Sequence, residues 1–128
     1  MLVVTRFTID EADAESFEQR CRTALAALAA RPGYRGGRIA RAVDVPESWL
    51  LICEWDNIGS YRRSLSGFDV KMAATPLLAQ AAAEPSGYEV LFEDGPGADS
   101  SVRVSDRARD AATVGVGEAG LAPGRESD

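Results

Sequence analysis

The chain has 128 residues, with 14 Lys plus Arg against 20 Asp plus Glu, a net charge of −6 and no histidine. That length fits one domain, large enough to bury a core and small enough to gain from oligomerisation. The acidic balance repels a phosphate backbone and excludes nucleic acid as a partner. Cys21 and Cys53 have no CxxC spacing and no histidine to join them, which predicts reduced core thiols and no metal site. Asp10, Glu11 and Asp13 interrupt the N-terminus before any long apolar run, and no stretch has the length of a membrane span. A cytoplasmic protein without membrane contact is expected.

Leu2 to Ile9 is β-branched and apolar enough for a strand, with Val3, Thr5, Phe7 and Ile9 on one face. From about Ala12 to Ala30, Ala14, Phe17, Cys21, Ala24, Leu25 and Leu28 recur at helical spacing, a stripe that needs a sheet to lie on. Pro32 and Gly33 stop this helix, and Tyr34 to Val43 reads as a strand with a bulge or close approach at Gly36 and Gly37. Arg35, Arg38 and Arg41 on it do not share a face, and are expected at a rim or in dimer salt bridges rather than at an anion site. Asp44, Pro46 and Glu47 make the turn. Trp49 to Asp56 is a strand with two apolar faces: Trp49, Leu51, Cys53 and Trp55 on one, Leu50 and Ile52 on the other. Helices can cover one face; a second copy of the sheet is the simplest cover for the other, so a homodimer is expected.

Asn57 suits the cap of a short helix ending at Leu65, before Ser66 and Gly67. Phe68 to Ala83 is helical again, interrupted at Pro76 after a Thr75 cap, and Tyr88 to Phe92 alternates as a last strand. The fold class is α+β, a ferredoxin-like βαββαβ order with its second helix split. Residues 1–94 are expected to form this domain. Residues 95–128 are rich in Gly, Ala, Ser, Asp and Arg and contain no aromatic residue, which predicts a disordered tail; the alternative is a short strand at Val102 to Val104 added to a partner's sheet edge.

The run Ser48 to Gly67, SWLLICEWDNIGSYRRSLSG, ends a strand in Trp55 and at once begins a helix carrying Tyr61. It resembles the antibiotic biosynthesis monooxygenase family, whose members are small dimeric α+β barrels, and the resemblance spans about Val3 to Glu93. It implies a cleft between the helices and the concave sheet. It also implies oxidation of polycyclic phenols by dioxygen with no metal, flavin or other cofactor. Trp55 and Tyr61 match the spacing of the aromatic pair that lines the cleft in those relatives, and are the catalytic candidates. Arg62 or Arg63 would hold a phenolate or carboxylate. Thr5 stands where a haem-degrading branch has Asn, and Leu65, Phe68 and Met72 would form an apolar wall. Each has a plainer reading: a core aromatic for Trp55, a buried ring with a wet hydroxyl for Tyr61, a solvated helix face for the arginines, a β-former for Thr5, and core packing for Leu65, Phe68 and Met72.

The chain also departs from the family. The haem-degrading members need an axial His where this chain has Leu65, so haem oxygenation by that route is not expected. The phenol-oxidising members have an Asn four residues before the Trp and an Arg further on, where this chain has Leu51 and, approximately, Thr75. A general base would be Tyr61, or Asp56 or Asp69. The expected function is a cofactor-independent monooxygenase-like protein acting on an aromatic or polycyclic small molecule. A non-catalytic small-molecule-binding dimer, or a cyclase or isomerase on the same scaffold, are the alternatives.

Overall fold

A computed structural model describes residues 1–96. Four strands, β1 (Leu2–Thr8), β2 (Tyr34–Arg41), β3 (Ser48–Trp55) and β4 (Gly87–Tyr88), form one antiparallel sheet in the order β2-β3-β1-β4. This is the ferredoxin-like order. A 3-10 turn at Glu11–Asp13 leads into α1 (Ala14–Ala29), and the second crossover holds α2 (Ile58–Ser64), α3 (Phe68–Ala73) and α4 (Thr75–Leu78). The expected tail lies almost wholly outside the described residues. Among the described residues no helix is long and apolar enough to cross a membrane.

Alternation along the strands decides which side becomes the core. Val3, Thr5 and Phe7 of β1 and Trp49, Leu51, Cys53 and Trp55 of β3 are all buried on the helix-covered face. α1 lays Phe17, Cys21, Ala24 and Leu28 on them, and α3 and α4 add Val70, Ala74 and Leu77. Leu50 and Ile52, on the opposite face of β3, stay partly exposed beside Val4 and Leu2. Two aromatic clusters sit at the two ends of β3, roughly 20 Å apart at strand rise. At one end Phe17 meets Phe7 at 5.0 Å and Trp49 at 5.4 Å, both edge-on. The other cluster surrounds Trp55.

Three expectations need correction. Thr75 is not a cap but the first residue of α4; buried Ala74 before it is itself helical and donates to the Val70 carbonyl, so α3 and α4 run nearly continuously. The helical region ends at Leu78, short of Ala83. The last strand is not Tyr88 to Phe92, because Leu2, the first residue of β1, is already paired with Tyr88. Pairing instead runs earlier, with Val4 N–H donating to the Ser86 carbonyl at 2.7 Å and Ala82 N–H to Arg6 at 2.8 Å. The bidentate Arg6–Glu84 pair, at 2.7 and 3.1 Å, fastens the same segment. Residues 89–92 overrun the sheet, leaving Leu91 and Phe92 79% and 77% exposed.

Gly33 connects α1 and β2 to the site. Its φ is +91°, and a Cβ there would strike the Ser60 side chain in the first turn of α2. The left-handed conformation alone costs a non-glycine residue about 1–2 kcal/mol. Gly33→Ala is therefore expected to destabilise the domain by about 2 kcal/mol or more, read as a lowered midpoint in urea; an unchanged midpoint would contradict this packing.

Candidate functional site

Trp55 is held in place by its backbone before any side chain is considered. Its N–H donates to the Met1 carbonyl at 2.9 Å, its own carbonyl accepts from the Met1 amine at 3.2 Å, and the next N–H, of Asp56, donates to the Gly33 carbonyl at 2.8 Å. The end of β3 is thus clamped from both sides. Asn57 then caps α2 as expected, its Oδ1 accepting from Ser60 N–H at 2.9 Å. Starting the helix at this point places Tyr61 one turn inside it, over the Trp55 ring.

The Trp55 side chain is fully buried. Its ring centroid lies 5.6 Å from Tyr61 in a tilted contact and 5.3 Å from Tyr34 in an edge-on one, within the range where aromatic pairs attract. Its Nε1–H donates to Cys53 Sγ at 3.1 Å. Burial pushes the Cys53 thiol up to about 11 against a smaller opposing effect from that hydrogen bond, and the Cys21 thiol likewise to about 11. Both cysteines are free and protonated at neutral pH, so neither is a nucleophile. Among the described residues no group of three His, Cys, Asp or Glu could hold a metal ion.

The pair expected from the sequence, Trp55 and Tyr61, is brought together. Arg62 is half-buried beside it on α2, and Leu65 packs partly buried against the core. Thr5 is buried on the same face of the sheet but pairs with Leu51, four residues from Trp55 and so roughly 13 Å along the strand. Phe68 and Met72 are not core: they are 75% and 64% exposed. A helix this short buries one stripe, here Val70 with Ala74 and Leu77 beyond it, and residues two positions away from Val70 face outward. Asp56 is an exposed partner of Arg35 at 3.9 Å, and Asp69 is exposed on α3. Arg41 lies over the Trp49 ring at 5.3 Å, at the far end of the sheet.

Tyr34 completes the cluster, and no local motif in the sequence points to it. Counting back along the β2–β3 hairpin from its turn would set Tyr34 opposite Asp56; a one-residue bulge at Arg35 shifts the register and pairs Tyr34 with Trp55. Burial raises the Tyr34 phenol above its ordinary value, with Cys53 adding to the effect, so the hydroxyl keeps its proton at neutral pH. The result is a Trp55 ring held between Tyr34 and Tyr61, with Arg62 next to Tyr61 in sequence on α2. With Trp55 fully buried, a ligand could touch only the partly exposed Tyr34 and Tyr61, and the described residues hold no group of three metal ligands.

Residues 1–74 match the family model described as antibiotic biosynthesis monooxygenase. Among solved structures, SnoaB, a cofactor-independent oxygenase from Streptomyces nogalater, is 31% identical, with a TM-score of 0.54 over 63% of this chain and 82% of SnoaB. A conserved protein from Methanosarcina mazei Go1 is 19% identical, with a TM-score of 0.55 over 62% of this chain and 78% of the other. That second likeness speaks for the fold alone. No curated protein matches the chain in sequence.

Proposed function

This chain belongs to the antibiotic biosynthesis monooxygenase family, and from that premise we propose that it is a cytoplasmic, homodimeric, cofactor-independent monooxygenase of an aromatic or polycyclic small molecule. The observation that carries the reading is the contact between Trp55 and Tyr61 at the strand-to-helix turn, in a chain 31% identical to an oxygenase of that kind. Trp55 and Tyr61 orient the substrate rings, Tyr61 is the proton-handling group and Arg62 steadies the anion formed. Leu65 lines the inner side, and Thr5, roughly 13 Å along the sheet from Trp55, would meet only the far end of a substrate several rings long. Phe68 and Met72, exposed on α3, form the apolar lip over which the substrate enters.

The substrate supplies most of the chemistry. Loss of a proton from an anthrone-type CH2 gives a carbanion that passes one electron to dioxygen; the resulting radicals join as a peroxide, and loss of water leaves a ketone. One oxygen atom ends in the product and one in water. The protein has to exclude water, fix the rings and take the proton.

The test is dioxygen consumption by the metal-chelated, flavin-free protein with a panel of anthrones and quinols. Uptake is expected, and Trp55→Phe, which keeps a ring in the core, is expected to lower kcat/KM at least tenfold. Equal uptake by both proteins would remove Trp55 from the site. Tight binding with no uptake would favour a non-catalytic binding dimer, a reading that Leu51 and Thr75 at the positions of the family's Asn and Arg support.

A further inference from the structure

Because Trp55 is fully buried, it meets a ligand only through the phenol rings that flank it. Tyr34 has room in front of it. Where α1 overhangs the edge strand β2, a shallow groove of about 520 Å³, within the range that holds small ligands, opens beside the Tyr34 ring. Leu25, Ala26 and Ala29 of α1 and Gly37 and Ile39 of β2 line it further. The groove is thus continuous with the Trp55 cluster, and Tyr34 belongs to both.

Gly37 lets the Tyr34 hydroxyl reach this groove. A Cβ at that position would overlap the hydroxyl and come within 2.9 Å of Leu25 Cδ2. The hydroxyl makes no hydrogen bond among the described residues, and burial of the phenol keeps it protonated at neutral pH. It is a donor that the fold itself does not use.

The groove is otherwise neutral. Glu18 and Arg22 at its border neutralise each other at 2.7 Å. Arg38 stands opposite Ile52 in the strand register, which sends its side chain to the outer face of the sheet. Apolar walls, no net charge and one unused donor fit a flat, uncharged ring system that carries an acceptor, a ring ketone. A carboxylate would lose its water here without gaining a counter-charge, and a plain hydrocarbon would leave the donor unmet.

We propose that Tyr34 is the ligand-binding phenol of the Trp55 site: a neutral polycyclic ketone lies in the α1–β2 groove, its rings on Leu25, Ala29 and Ile39 and its carbonyl accepting from the Tyr34 hydroxyl. That this ketone is the substrate rests on the oxygenase reading above; its binding needs no turnover. In that reaction negative charge collects on the carbonyl oxygen as the anthrone CH2 loses its proton, and a donor already in place in an apolar groove stabilises it there.

The probes are 9-fluorenone, a flat tricyclic ketone, and fluorene, the same rings without the carbonyl, each titrated into the full chain without oxygen. The wild type is expected to bind one fluorenone per chain about tenfold more tightly than fluorene, as a neutral hydrogen bond sheltered from water contributes. Tyr34→Phe keeps the ring against Trp55 and removes only the hydroxyl. It should bind fluorene within twofold of the wild type and fluorenone no more tightly than fluorene. Ala29→Trp, which fills the groove from an exposed helix position, should weaken both probes at least tenfold while circular dichroism stays unchanged. Absence of saturable fluorenone binding to the wild type would overturn the proposal, as would equal wild-type affinity for the two probes. A ketone preference that survives Tyr34→Phe would overturn it equally. Loss of the preference in Tyr34→Phe, in a protein that takes up no oxygen with any anthrone, would support this site while removing the oxygenase reading, so the two fail separately.

Discussion

Trp55→Ala is expected to lower the unfolding free energy by about 3–5 kcal/mol, the usual cost of removing a large buried aromatic. The ring is fully buried, touches both Tyr34 and Tyr61, and gives its only N–H to Cys53. Truncation removes two ring contacts, leaves a cavity beneath α2 and frees the turn that starts the helix. Against a typical domain stability of about 5–15 kcal/mol the loss is large. Urea denaturation at equilibrium checks it, and a loss below about 1 kcal/mol would mean that Trp55 is not the keystone of this end of the sheet. Trp55→Phe preserves most of the volume, and is the variant in which a loss of activity can be read apart from a loss of fold.

Ile52→Asp is expected to convert a dimer into a folded monomer. Ile52 sits at the centre of the outer sheet face, opposite Val4 on one side and Arg38 on the other, next to the pairs that Leu50 makes with Arg6 and Ala40. The partial exposure of Leu50 and Ile52 in the single chain means that little of the monomer's own core depends on them. In a symmetric dimer built on this face, the substitution buries two carboxylates at once, each carrying a desolvation cost of several kcal/mol. A dimer constant weakened about a thousandfold corresponds to about 4 kcal/mol. Sedimentation should show wild type as a dimer and Ile52→Asp as a monomer of unchanged secondary structure. A wild-type monomer at micromolar concentration would contradict the account of this face.

Much of the fold was legible because it depends on period and punctuation. Alternation in β1 and β3 told the inner residues from the outer, the stripe from Phe17 to Leu28 marked the buried side of α1, and Asn57 announced α2 through its own side-chain bond. What failed depended on pairing across the chain. Tyr88 to Phe92 has the composition of a strand, but a strand ends where its partner does, and β1 begins at Leu2. Helical spacing showed that Phe68 and Met72 share a side of α3 without telling which side faces the sheet; Val70 took the core. The site was legible as a local motif, Trp55 followed by Tyr61. Tyr34 is far away in sequence and joins them through the hairpin register alone.

The proposed insertion of oxygen into an aromatic substrate without a bound cofactor is tested most directly by mass spectrometry of the product formed from an anthrone under ¹⁸O₂, with metal-chelated and flavin-free protein. The account predicts a quinone carrying one ¹⁸O atom, formed by the wild type and at least tenfold more slowly by Trp55→Phe. A product of unchanged mass would mean isomerisation or cyclisation on the same scaffold, and would contradict the claim.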